Sequence, residues 1–286
     1  MENIISLFQL PGFTTPTVPI LLAFIFGTAI GSFLNVLIWR LPREESIQGR
    51  SHCPHCNHQL HWLDLVPIVS IVLQSGRCRY CRKPVSLRYP LIELITGALF
   101  ALTMWYFPIQ DIHTAVFFLK TVVVIAICVT VFVVDLEHYL ILDRVVFLGI
   151  ALMLVFALVL DASSEGFVLQ SLFSLNSNIV SSLLGALVAF IPFWLLWFVS
   201  KGRWMGYGDV KFVIFMGLAL GVQGVTVALF ASFIVGAIIG VALMAFGKKQ
   251  LSSKIPFGTF LALFTLVALF YSSDLWALYW GLLIIG

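Results

Sequence analysis

The chain has 286 residues, of which 61% are hydrophobic and only 10% charged, with a mean hydropathy of +1.07. Soluble domains carry about a quarter charged residues, so a water-soluble globule is excluded. A net charge of +3, with no basic stripe interleaved with aromatics, excludes a nucleic-acid binder.

The first residues, MENIISLFQLPGF, lack a basic region and carry Glu2, so they read as an uncleaved interfacial lead-in, not a signal peptide. Apolar stretches follow at 17–39, 89–107, 114–134, 145–160, 179–200, 210–222, 224–246 and 256–272. Each is compared with the roughly 20 helical residues that cross about 30 Å of hydrocarbon. The sixth and seventh are parted by Gly221-Val-Gln-Gly224, which predicts a tight turn and a helical hairpin. Residues 275–286 are apolar but short, an extension of the last helix. The expected fold is an all-α polytopic membrane protein with about eight transmembrane helices, seven and nine being the alternatives. It divides into an N-terminal segment with the first helix (1–39), a small cytoplasmic loop domain (40–88) and a transmembrane core (89–286).

With eight spans, every Lys and Arg except Lys120 falls on one side of the membrane. The positive-inside bias makes that side cytoplasmic, with both termini outside. The acids Asp111, Asp161, Glu165 and Asp274 then lie outside as well. Gly27/Gly31, Gly217/Gly221 and Gly236/Gly240 have the spacing that lets helices approach closely.

The loop 40–88 holds CPHC (Cys53, Cys56) and CRYC (Cys78, Cys81), 21 residues apart. Paired Cys-x-x-Cys knuckles suit tetrahedral zinc, whereas two disulfides would not persist in a reducing cytoplasm. The four cysteines complete a coordination sphere with no open position, so the zinc is structural and staples a loop too small for its own core. His52, His55, His58 and His61 surround the first knuckle, any one of them a substitute ligand. Between the knuckles LDLVPIVSIVLQ is apolar enough to lie on the membrane interface. Cys128, alone in a span, reads as a small buried hydrophobe.

Near the spans the remaining acids are Glu93, Asp135, Glu137, Asp143 and Asp209. Asp135 ends the third apolar run and Asp209 opens the sixth, so the topology sets both at the same cytoplasmic boundary. Two carboxylates meeting in a partly dry site share a proton. One then activates a water while the other protonates the leaving group, which is aspartic peptide hydrolysis. Gly206 and Gly208, in MGYGDVKF, give clearance for a substrate backbone beside Asp209, and Lys211 reads as an interfacial anchor.

GYGD (206–209), VVDLEHYLILD (133–143), the paired CxxC loop, GSFLNVLIWRLP (31–42), WLDLVPIVS (62–70), RYPLIELITG (88–97) and IPFGTFLAL (255–263) occur in one order. Together they resemble the type IV prepilin peptidases, a family of GxGD membrane aspartyl proteases of the bacterial inner membrane. The resemblance implies cleavage of prepilin or pseudopilin leaders after glycine, for type IV pili or type II secretion. It also implies N-methylation of the new N-terminus from S-adenosylmethionine, and Asp135 and Asp209 as the catalytic pair. Asp143 is the rival to Asp135; Leu142 stands before it where the family has proline, and it is expected to pair with Arg144 or cap the fourth span. Glu93 and Asn35 are the candidate methyl-donor contacts. Their structural readings are an ion pair of Glu93 with Arg88 or Arg40 and a helix-to-helix hydrogen bond from Asn35. The competing functions are a proton-coupled transporter using the two aspartates and a non-catalytic zinc-knuckle scaffold.

Overall fold

A computed structural model of the chain describes residues 17–163, 177–246 and 256–285; the lead-in and the segments 164–176 and 247–255 lie outside the described residues. The helices are α1 (Thr17–Arg40), the short α2 (Val69–Leu73), α3 (Arg88–Tyr106), α4 (Ile112–His138), α5 (Asp143–Ala162), α6 (Asn178–Ser200), α7 (Tyr207–Ala245) and α8 (Phe257–Ile285). Seven of these are long and apolar enough to cross a membrane. They are apolar all round, as helices facing lipid on one side and protein on the other must be.

The count of about eight spans rests on α7. This 39-residue helix loses its helical dihedrals at Gly221, where φ is 69° and ψ is −175°, so it consists of two helical pieces. A side chain there would sit in a left-handed conformation that L-residues avoid. The last helix runs through 275–285, so those residues extend it as expected.

The chain forms two compact units, Met1–Thr130 and Val131–Gly286, with α4 running from the first into the second. In the first unit α1 and α3 meet along small residues. A Cβ on Gly31 would lie 2.7 Å from the Glu93 Cα, and one on Gly27 would lie 2.8 Å from the Gly97 Cα. The expected close approach is therefore real, and Asn35 adds a cross-helix bond by donating Nδ2 to the Tyr89 carbonyl at 3.1 Å.

The cysteine loop hangs from the end of α1. Arg40 is buried and donates to the carbonyls of Ser46, Ile47, Gln48 and Arg50 at 3.0–3.2 Å. Asp64 ties the apolar segment to the second knuckle. It accepts from Gln74 Nε2 at 3.0 Å and Tyr80 OH at 3.3 Å, and pairs with Arg79 at 3.1 Å. Trp62, Val69, Val72 and Leu73 are left outward, their apolar surface unburied.

In the second unit α6 crosses α7 with backbones nearly touching: a Cβ on Gly217 would lie 2.4 Å from the Gly185 carbonyl oxygen. Phe193, Phe233 and Phe257 cluster between α6, α7 and α8, with ring centroids 5.1–6.3 Å apart. Asp161, at the end of α5, accepts from the backbone N–H of Asn178 (2.7 Å) and Ile179 (3.1 Å). It thereby fastens the start of α6 to its own helix.

Candidate active site

Three helix ends build the acid pair. Asp135 lies in the last turn of α4, and the chain then turns through Tyr139, at φ 54°, into the connector 140–142. Asp209 occupies the first turn of α7, where its Oδ2 accepts the Gly206 N–H at 3.2 Å and closes its own helix start. The third contribution is the start of α8. Thr259 donates its backbone N–H (2.7 Å) and its hydroxyl (3.2 Å) to Asp135 Oδ2. Both carboxyl residues are buried, Asp135 at 5% exposure and Asp209 at 8%. The starts of α7 and α8 meet at Ile141, against which both Gly208, the residue before Asp209, and Gly258, beside Asp135, are packed.

Glycines make this convergence possible by direct contact. A Cβ on Gly258 would lie 3.0 Å from Asp135 Oδ2 and 2.8 Å from Ile141 Cδ1, and one on Gly208 would lie 3.0 Å from Ile141 Cβ. Ile141 is thus wedged between the starts of α7 and α8. Gly206 has an ordinary extended conformation (φ −74°, ψ 149°), and a Cβ there would make only ordinary contacts, with Asp209 Oδ2 at 3.5 Å and the Gly208 nitrogen at 3.9 Å. Gly208, then, is the glycine that close packing requires.

Asp143 is set apart from this pair. Its side chain is 57% exposed and its carboxylate is ion-paired with Lys211. The expected partner, Arg144, is replaced by a cation from another helix, and Lys211 is a cross-helix partner in addition to any anchoring role. Thr259 and Gly258 escaped the sequence reading. Their signal was the IPFGTF stretch, where a Gly-Thr pair opens a helix on the same side as Asp209.

The four loop cysteines converge as expected, all Sγ atoms lying within 4.8 Å of one another. Cys53 and Cys81 sulfurs are 3.9 Å apart. That agrees with the about 3.8 Å edge of a tetrahedron of thiolates held 2.3 Å from a metal, and is far beyond a disulfide bond. All are free thiols. The two knuckles share one backbone design. Cys53 N–H donates to the His58 carbonyl and Cys78 N–H to that of Lys83, while Asn57 (φ 54°) and Arg82 (φ 57°) take the same left-handed position. Burial raises the Cys53 thiol, but hydrogen bonds from the His55 and Cys56 backbone and from the Cys78 and Cys56 side chains outweigh it and bring it to about 7. The Lys83 backbone N–H lowers Cys81, yet burial and its bonds to the other three thiols carry it up to about 11. Four thiolates this close cannot all ionise without a cation among them. No histidine joins the cluster among the described residues; His58 instead stacks on Tyr80, ring centroids 3.7 Å apart.

Glu93 and Asn35 fall together, lining one cavity of ≈ 690 Å³ in the first unit. The expected ion pair with Arg40 does not form, because that guanidinium is spent on loop carbonyls. Glu93 Oε2 instead accepts the Ile68 N–H at 2.8 Å.

The chain matches two family models. Residues 25–107 match the Bacterial Peptidase A24 N-terminal domain and residues 122–241 match the Type IV leader peptidase family. Proteins named prepilin leader peptidase/N-methyltransferase match nearly end to end. The one from Stutzerimonas stutzeri is 30% identical over 93% of this chain and 95% of its own. That of Aeromonas hydrophila is 32% identical, covering 89% and 91%. The Bacillus subtilis (strain 168) protein is 30% identical, covering 90% and 96%. No solved structure is a significant match. None of these findings supports a transporter. Both matched domains, in this order, and relatives aligned over almost their whole length place the chain in the prepilin leader peptidase/N-methyltransferase family.

Proposed function

We propose that this protein cleaves the leader of membrane-inserted prepilins or pseudopilins after a glycine and then N-methylates the exposed N-terminal residue. The observation that carries the peptidase half is the pairing of buried Asp135 and Asp209 on separate helices, each held by backbone N–H donors. One carboxylate, ionised, takes a proton from water as its oxygen attacks the scissile carbonyl carbon. The other, protonated, donates to the carbonyl oxygen. Collapse of the tetrahedral intermediate then breaks the C–N bond, and the amine leaves with a proton from the pair. The Thr259 donors fix the Asp135 carboxylate in place. The main chain at 206–208 is the stretch we assign to the substrate backbone, with Gly206 giving the clearance and Gly208 seating that stretch against Ile141.

The four-thiolate site fits Zn²⁺, which prefers tetrahedral sulfur and leaves no open position here; its role is to hold the loop together. S-adenosylmethionine would supply the methyl group as an electrophilic sulfonium carbon. The concentration of Lys and Arg on one side supports a bacterial inner-membrane orientation with the loop and acid pair cytoplasmic and both termini outside. The outward Trp62, Val72 and Leu73 support contact of the loop with the bilayer interface.

The test is cleavage of a prepilin by purified protein in lipid. Asp135→Asn and Asp209→Asn should each lower the rate by roughly three orders of magnitude or more, with helicity intact, because members of a catalytic unit fail together. Asp143→Asn should retain activity. Full activity in either dyad variant sinks the assignment.

A further inference from the structure

The acid pair leaves the ≈ 690 Å³ cavity of the first unit without a role. Its volume lies in the about 300–1,000 Å³ range of small-molecule sites. Its walls come from α1, both knuckles, the α2 region and the start of α3.

Three features converge on it. The first is Asn35, 4% exposed, whose Nδ2 donates to the Gly31 carbonyl (3.3 Å) and the Tyr89 carbonyl (3.1 Å). Its Oδ1 is buried with no partner. Reversing the amide would press Oδ1 against two carbonyl oxygens, so the orientation is fixed and an acceptor is left waiting for a donor. The second is Glu93, 6% exposed, a carboxylate that meets the Ile68 N–H and the Ser32 side chain but not the Arg40 guanidinium.

The third is the backbone that Glu93 grips. Ile68 has φ 62° and ψ −52°, and the N–H of Val69 bonds back to the Pro67 carbonyl, forming a γ-turn of the rare positive-φ kind. A β-branched residue resists that conformation. Such strain persists where the surroundings over-determine it, commonly at ligand clamps. Trp39 and Tyr89 add aromatic rings to the wall, with Arg43 lying over Trp39 at 3.7 Å and Arg88 over Tyr89 at 5.2 Å, so a ligand ring would meet them on the face each guanidinium leaves open.

A ligand suited to this cavity brings a cation for Glu93, a hydrogen-bond donor for Asn35 and a flat ring for the aromatics. We infer that the cavity is the methyl-donor site: it takes S-adenosylmethionine, with Glu93 facing the cationic sulfonium and amino-acid end and Asn35 Oδ1 accepting a ligand N–H or O–H. This rests on the methyltransferase half of the proposed function. Cys53 and Cys78 also line the cavity, so the metal cluster secures one of its walls.

The experiment is equilibrium binding of S-adenosylmethionine and its neutral product, S-adenosylhomocysteine, to the full-length protein in lipid nanodiscs. Metal content and melting temperature report folding. The wild type should prefer the sulfonium roughly ten-fold, as a charge-assisted contact implies, and Glu93→Gln should bring the ratio to about one while keeping an acceptor for Ile68. Asn35→Ala should weaken both ligands by about ten-fold. Val36→Trp, which fills the cavity, should abolish binding of both. Wild-type binding in Val36→Trp, or an unchanged ratio in Glu93→Gln, overturns the inference. So does a Val36→Trp protein that binds the donor normally yet no longer binds a processed pilin peptide, since the cavity would then hold the methyl acceptor. A wild type that cleaves prepilin but binds neither ligand removes the methyltransferase reading together with this site, and leaves the peptidase standing.

Discussion

The two units build their sites from opposite materials. In Val131–Gly286 the acid pair is assembled by helix starts in direct contact, with glycines at 208 and 258 bringing main chain against Ile141 and Asp135. In Met1–Thr130 the cavity is walled largely by a loop whose shape depends on four clustered sulfurs and on Asp64 and Arg40 crosslinks. The first kind of site is specified by volume, and added atoms damage it. The second is specified by a coordination sphere, and removed ligands damage it.

The contrast can be broken first at the sulfurs. Replacing Cys53 and Cys78 together with serine should take bound metal from about one per chain to none, since a structural zinc site needs its full tetrahedral set. It should also open the loop 40–88 to protease and abolish methyl-donor binding; metal analysis and limited proteolysis read both. A variant that keeps its metal would show that the histidines can stand in. Next in size, Gly258→Ala adds one methyl group, 3.0 Å from Asp135 Oδ2. Cleavage should fall by roughly 10–100-fold, because small displacements of a catalytic group are costly, while metal content stays at the wild-type level. Unchanged cleavage would mean that the α8 start gives way freely. Smallest is Lys211→Met, which removes the ion pair to a largely exposed Asp143. Exposed pairs are worth about 0–1 kcal/mol, so the melting temperature should move by no more than a few degrees, and a larger drop would give the pair a structural importance its exposure does not suggest.

The helices were legible because their cause is local. A run of apolar residues long enough for a bilayer declares itself, and the ends found at Arg40, Tyr106 and Ser200 lie within a residue of those expected. The break at Gly221 was legible too, since two nearby glycines interrupt an otherwise unbroken apolar run. The cysteine cluster followed from spacing alone. What stayed hidden depends on tertiary placement. Nothing in the sequence says that the Thr259 N–H points at Asp135, because every residue except proline has an N–H. Nor does it say that Lys211 reaches Asp143 and not a lipid headgroup. The γ-turn at Ile68 is hidden for a stronger reason: isoleucine argues locally against the conformation it adopts, and the carboxylate that accepts its N–H, Glu93, comes from a helix 25 residues on.

The clamp formed by Asp161 on Asn178 and Ile179 has a practical consequence. Both ends of the intervening segment are fastened within hydrogen-bond reach, so the helices on either side do not rely on its length to find their register. An epitope spliced between residues 164 and 176 should therefore leave α5 and α6 in place and serve as a reporter of sidedness. Antibody reaching it on intact spheroplasts would fix the orientation of the whole chain, and every site described above would then have a known compartment.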